Sequence, residues 1–523
     1  GYFREDKFRI NGLNPQIWIC IYGTVKNIGN EPRQYGIMRA IQTRITRVWK
    51  YLLTRGPYRA TAIDNRNSSN YAGHRKEMRV KTRFSEETVL FFSVIKWFLL
   101  SSIIGLIVGA GATIFLKLLN WGIAAAAGLK FYFLLLPAAI LLTAVIVKYL
   151  APDAEGHGTE KVIEAVHKRS GKINLLVVPV KLVATVITIA FGGSAGKEGP
   201  CAQIGSGLAS GFADLFNFND FDRKKLVICG LSAGFASVFG TPIAGAIFGI
   251  EVLVVGQLMY DVLLPSFIAG ITAYQVSYNL GITYSYKPLN FVPVFNEFFF
   301  AKVVLSGVFF GIVAFIFIEL HKFTHWVSEK LKMPFWLKAL AGGALISVPA
   351  LFLGTKYLGL GLNGIEGYLN GGLARWYDPL LKIVFTVLTL GSGGSGGVIT
   401  PIFFVGSSAG SFFSTFAGVD AATFSAIGMV ALLAGAANTP VAAGVMSIEL
   451  FGPQIAPYAA VACVISFLMT GHRSIYSSQI LGMIKSGSIR VEIGGEMGHI
   501  SAATSKVKRF VVAVKRIFRR KKR

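Results

Sequence analysis

One stretch of this chain occurs twice. GGSAGKEGPCAQIGSGLASGF begins at Gly192 and GGSGGVITPIFFVGSSAGSFF begins at Gly393. Aligned without gaps, the two share Gly-Gly-Ser, a later Gly, the Pro, a Gly-Ser pair, a Ser and the final Phe, at an offset of 201 residues (192 to 393). Downstream, Thr241-Pro242-Ile243-Ala244 with Ile250-Glu251 answers Thr439-Pro440-Val441-Ala442 with Ile448-Glu449, at an offset of 198 (241 to 439). Upstream, Gly156-His157-Gly158 answers Gly359-Leu360-Gly361, at an offset of 203 (156 to 359). Three landmarks in one order at nearly one spacing mark a duplication. A period of ~200 residues is far too long for a solenoid repeat, so the chain must fold as two copies of one large unit.

That unit lies in a membrane. Apolar runs at 91–119, 131–150 and 303–320 approach or exceed the ~20 residues that cross a bilayer as a helix, and charged residues make up only 15% of the chain. The net charge of +26 does not mark a nucleic-acid binder, because about half of the 52 Lys and Arg lie in residues 1–84 and 506–523. Basic segments flanking spans mark the cytoplasmic side and suit anionic lipid. Both termini are therefore expected in the cytoplasm, with an even number of crossings of the cell membrane. Met78 opens MRVKTRFSEETVLFF, an ordinary lead into a first span, and the residues before it are expected to contribute little to the fold. Four scattered cysteines without CxxC spacing support neither a metal site nor a disulfide framework, and no cofactor is expected.

Each landmark is a glycine-rich break inside apolar sequence. Such breaks are tolerated at membrane depth where they line a cavity or are buried in protein, and in duplicated transporters broken helices form the site between the halves. The stretch at 192–200 is not a nucleotide loop: Phe191 stands where a Walker A motif needs its first Gly, and Glu198 follows Lys197 where Ser or Thr should hold magnesium. The alternative is a helix N-terminus. Glycines leave N–H groups unobstructed, Pro200 suits the first turn, and the positive end of the helix dipole receives an anion. Gly393 to Pro401 repeats the arrangement, and GHGTE at 156–160 opens a third helix-like segment. Three such starts converging would hold an anion by partial charges, loosely enough to release it. Glu198 has two readings in that setting: a capping carboxylate, or an anion mimic whose protonation frees the site.

Gly196-Lys197-Glu198-Gly199-Pro200 resembles the G[KR]EGP motif of the CLC chloride channels and chloride/proton exchangers, and the similarity extends over about residues 84–487, through TPIAGAIFGIE and SIYS. The resemblance implies an all-α polytopic membrane protein with the CLC-type fold, two inverted repeats of broken, tilted helices, and a homodimer with one pore per subunit. It implies Glu198 as the gating and proton-carrying glutamate and Tyr476 as the hydroxyl that meets the central anion. The candidate anion-binding residues are then His157, Gly158, Lys197, Glu198, Gly199, Val398, Ile399, Thr400 and Tyr476. The segments expected are a basic N-terminal stretch at 1–84, a membrane domain at 85–487 with halves at about 85–295 and 296–487, and a basic tail at 488–523.

Three positions depart from the family pattern. His157 replaces the usual anion-coordinating serine; either its imidazole meets the anion and responds to pH, or it points elsewhere and backbone N–H groups bind. Ile399 replaces an aromatic, leaving backbone donors intact. Val252 stands where many exchangers place a second glutamate and cannot carry a proton. Glu251 and Glu449 match each other and are read as helix-end or packing carboxylates. The expected function is transport of chloride and similar anions gated by Glu198, as a chloride/proton exchanger, with passive conduction as the alternative. The expected partners are these anions, protons, the lipid bilayer and a second copy of the chain, with no nucleic acid. An intramembrane enzyme would need a nucleophile–base pair or metal-ligand spacing on facing spans, and the sequence offers none.

Overall fold

The computed structural model describes residues 72–500 except 285, 287, 289–295, 488 and 490, with side chains from 86 onward. The expectations about residues before Met78 and about the basic tail fall largely outside that range. The chain divides into two compact units between Glu86 and Glu87, and both halves of the duplication lie in the second.

Sixteen α-helices occupy the described residues, eight in each half. The first half comprises α1 (Ala72–Ala127), α2 (Leu136–Leu150), α3 (Thr159–Lys168), α4 (Val177–Ala190), α5 (Glu198–Leu215), α6 (Asp220–Phe239), α7 (Pro242–Glu251) and α8 (Leu263–Asn279). The second comprises α9 (Glu297–Lys330), α10 (Phe335–Leu353), α11 (Leu362–Leu369), α12 (Asp378–Gly391), α13 (Ile399–Ala417), α14 (Ala421–Ala437), α15 (Pro440–Phe451) and α16 (Ala456–Met469). Five of these, α1, α2, α9, α10 and α13, carry stretches long and apolar enough to cross a bilayer. Several others are shorter apolar helices of 10–17 residues that stop within the protein. A two-residue parallel pair, β1 (Val254–Val255) with β2 (Ile480–Leu481), ties the end of the first half to the C-terminal segment. Chain packing continues to about residue 500, where Met497 is buried against Val255, Phe467 and Leu481.

The repeat is legible in how the helices begin and end. Asn219 caps α6 by accepting from the Asp222 N–H at 2.8 Å, and Asp420 caps α14 by accepting from the Thr423 N–H at 2.7 Å. A side-chain oxygen there satisfies one of the orphan donors of a first helical turn. Both helices end on a left-handed residue, Gly240 (φ 71°) and Asn438 (φ 58°), the residue types that tolerate it. Thr-Pro follows in each case, and the proline starts the next helix at the position where its missing N–H matters least.

Helices α5, α6, α13 and α14 are buried almost throughout, and small residues let them pack closely. At the α5–α6 crossing a Cβ on Gly205 would strike the Gly230 carbonyl; at the α13–α14 crossing a Cβ on Gly406 would strike the Gly428 carbonyl. Backbone contact of this kind is how helices associate where water provides no hydrophobic drive. Gly406→Ala is therefore expected to destabilise the protein by about 1–3 kcal/mol, read as a lower thermal midpoint in detergent, with Gly205→Ala behaving alike.

Contacts between the halves are reciprocal. Thr185 Oγ1 bonds Ser395 Oγ at 3.0 Å and Ser194 Oγ bonds Thr386 Oγ1 at 3.0 Å. The Ser194 N–H donates to Thr389 Oγ1, and the Ser395 N–H donates to Thr188 Oγ1, both at 3.0 Å. Each partner is the other's equivalent 201 residues on (194 to 395, 188 to 389), so a pseudo-two-fold axis relates the halves.

Candidate functional site

The axis runs through the duplicated glycine breaks. Gly196 and Gly397 form an antiparallel bridge, each N–H donating to the other's carbonyl, at 2.7 and 2.6 Å. Equivalent residues paired antiparallel force the helices that follow, α5 and α13, to meet at their N-termini and run apart. That is inversion, and it brings two positive helix ends to one place. The third end is α3: a Cβ on Gly158 would meet the Gly199 carbonyl, and a Cβ on Gly199 would meet the His157 carbonyl oxygen and lie 3.1 Å from Gly397 Cα. Glycine is required here by close approach of three backbones, and Gly158 also has φ 78°.

Glu198 sits at this junction, the first residue of α5, and is completely buried. Its carboxylate lies on the N-terminus of α13 in the opposite half. Oε2 accepts from the Thr400 N–H at 3.1 Å and Oε1 accepts from the Thr400 hydroxyl. Ile399 and Thr400, buried in the same first turn, and Val398, its N-cap, supply the backbone around that seat. Lys197, half-buried, occupies the N-cap position of α5. The carboxylate thus does what an anion would do there: it takes the orphan donors of a helix start.

Beside it lies a group of buried polar atoms without partners. Tyr476 is fully buried, and its hydroxyl makes no hydrogen bond; neither does the Thr159 hydroxyl in the first turn of α3, nor His157 Nδ1. The His157 and Tyr476 rings have centroids 5.5 Å apart. Unpaired buried polar groups are expensive, and the two hydroxyls, at a junction of helix N-termini, fit a small anion as the missing acceptor. The other imidazole nitrogen of His157, Nε2, is engaged by Glu160 Oε2 at 2.8 Å.

Two features were missed from the sequence. Lys181 in α4 is fully buried and donates to the Ala154 and Gly156 carbonyls at 3.0 and 2.5 Å. Its repeat mate Lys382 in α12 donates to the Tyr357 and Gly359 carbonyls at 3.0 and 2.9 Å. Each ammonium ties down the loop that leads into α3 or α11. A lysine inside an apolar run, VVPVKLVATV and again PLLKIVFTV, was the available signal. The other is α9, which brings His321 to within 5.4 Å of the His157 ring, centroid to centroid.

Glu251 and Glu449 end their helices, but each caps the other half. Glu251 accepts from the Val441 and Ala442 N–H groups at the start of α15, at 3.0 and 2.8 Å; Glu449 accepts from Ile243 and Ala244 at the start of α7, at 3.0 and 2.7 Å. Val252 follows Glu251 and is completely buried.

Fold and site together define the class: a polytopic helical membrane protein of two inverted repeats whose broken helices meet at a buried carboxylate. The chain belongs to the voltage gated chloride channel (CLC) family, whose profile matches residues 138–471. It is 36% identical over 413 residues to a chloride/fluoride channel protein of Pseudomonas syringae pv. tomato, covering 77% of this chain and 91% of that one. It is 30% identical over 323 residues to the voltage-gated ClC-type chloride channel ClcB of Escherichia coli, covering 57% of this chain and 74% of that one. Among solved structures it resembles a CLC-type fluoride/proton antiporter, with a TM-score of 0.71, 29% identity, and 74% and 98% of the two chains covered. A slow cyanobacterial Cl−/H+ antiporter shares the fold at a TM-score of 0.63 and 20% identity, over 72% and 94% of the chains.

Proposed function

We propose that this protein moves chloride and related small anions across the cell membrane, with Glu198 as a protonatable gate, in exchange for protons. The observation that carries the reading is the seat of Glu198 on the N-terminus of α13, held by Thr400 alone among the described side chains. As a carboxylate, Glu198 occupies a place made for an anion. Once protonated it loses its charge, its hold on the helix end weakens, and a permeant anion can take the site. His157, Gly158, Lys197, Gly199, Val398, Ile399 and Tyr476 then contribute backbone donors, a cation and a hydroxyl around that anion. The chain works as a homodimer with both termini in the cytoplasm, in keeping with its basic ends.

The test is reconstitution of the full chain in liposomes with a chloride or fluoride gradient, recording anion flux and pH. Protons driven uphill by the anion gradient support exchange; anion flux without them leaves a channel; passage of neither anion defeats the proposal. Fluoride belongs in the test because the relatives include a chloride/fluoride channel and a fluoride/proton antiporter. Thr400→Val removes one of the two donors that seat the carboxylate. A hydrogen bond to a charged group contributes about 1.5–3 kcal/mol, so the unseated fraction should rise roughly tenfold or more. The expected result is faster anion flux at alkaline pH, where the gate is otherwise charged and closed.

A further inference from the structure

A cavity of about 960 Å³ is lined in part by Glu160, His157, Lys161, His321, Lys322 and His325. Glu160 and His157 both line it and differ in exposure: the Glu160 side chain is 21% exposed and that of His157 is 4% exposed. They form one hydrogen-bonded pair, Nε2 to Oε2 at 2.8 Å. The remaining Glu160 oxygen accepts from the Ser477 hydroxyl and, at 3.3 Å, from Ser478 Oγ. The far imidazole nitrogen, Nδ1, is buried without a partner, beside Tyr476. The backbone of His157 touches Gly199, the residue after Glu198.

The repeat shows that the fold does not require this pair. Its counterparts 203 residues on (157 to 360, 160 to 363) are Leu360 and Asn363, although both halves keep the lysine clamp, at Lys181 and at Lys382. Only the first half's copy of this segment carries titratable side chains at these two positions.

We infer that Glu160 and His157 form a proton relay from this cavity to Glu198, an inference that rests on the proposed exchange. A proton from cavity water neutralises Glu160. Glu160 passes it to His157 Nε2, breaking an O–H and forming an N–H bond, which leaves a carboxylate beside an imidazolium. The imidazolium releases its Nδ1 proton toward the anion site, where the Glu198 carboxylate, once it leaves Thr400, accepts it. The imidazole is left neutral, with its proton on Nε2 and donated to the Glu160 carboxylate; the ring must then rotate to turn its unprotonated nitrogen back to Glu160 before the next proton can follow. The groups facing the pair are Lys161 on α3, His321, Lys322 and His325 on α9, Tyr476, and the Lys181 ammonium on the Gly156 carbonyl. The hydrogen bonds from His157 and the Ser477 hydroxyl favour a carboxylate at Glu160 between transfers.

The experiment uses the full chain in liposomes with a chloride gradient, and reads the ratio of proton to chloride flux. For Glu160→Gln the ratio should fall roughly tenfold while chloride still moves, and Glu160→Asp should recover part of it. An unchanged ratio in Glu160→Gln, with wild type exchanging protons, overturns the relay and leaves the proposed exchange standing. A wild type that moves chloride without uphill protons overturns both. Should Glu160→Gln fail to reconstitute, Glu160→Asp decides alone. A shifted pH dependence of proton flux with the chloride dependence unmoved supports the relay, and identical profiles overturn it.

Discussion

Glu198→Gln is expected to leave anion flux intact, to remove its dependence on pH, and to reduce uphill proton movement to background. The carboxylate is completely buried and bonded to the Thr400 N–H and hydroxyl, at a helix end that favours negative charge. Glutamine keeps the shape and can still accept one of those bonds, but it cannot carry charge or exchange a proton. It therefore resembles the protonated gate at every pH. Parallel recording of anion and proton fluxes in liposomes checks the outcome; proton pumping that persists in the variant would remove Glu198 from the proton path.

Gly199→Ala should abolish transport for a different reason. The added Cβ would strike the His157 carbonyl oxygen and crowd Gly397 Cα at 3.1 Å, so every obstructing atom is backbone and none belongs to a side chain that could swing aside. Overpacking of this sort costs about 1–3 kcal/mol. Here it also forces apart the starts of α3, α5 and α13, whose convergence makes the site. The expected result is loss of anion flux with a lowered thermal midpoint. Gly367→Ala is the control, since nothing lies within 4 Å of its added Cβ; transport equal to wild type in Gly199→Ala would mean the three helix ends need not meet so closely.

Much of the site was legible because the duplication preserved it. GGSAGKEGP and GGSGGVITP named the two helix starts that meet at the Gly196–Gly397 bridge, and GHGTE named the third. Tyr476 is a different case: nothing in RSIYSSQ distinguishes it from an ordinary interfacial aromatic, and only family resemblance singled it out. Glu160 stayed hidden although His157 and Glu160 stand three residues apart, because an acidic residue in the first turn of a helix reads as routine stabilisation of that helix end. Its placement in the wall of a cavity, with Ser477 and Ser478 reaching it from more than 300 residues away, is a tertiary fact.

By itself, the sequence determined that this protein is a duplicated membrane chain whose glycine-rich breaks open helices, and that one break carries a carboxylate the other lacks. These are local properties: apolar run length, glycine and proline placement, and identity between the halves fix them without knowledge of neighbours. Only the tertiary structure decided that the halves exchange their polar contacts. Glu198 rests on Thr400 rather than on its own helix, Glu251 caps α15, and Glu449 caps α7. A helix start leaves its N–H groups unpaired wherever it occurs, but which carboxylate reaches them depends on how the chain is brought together across a two-fold axis, and no local pattern encodes that distance.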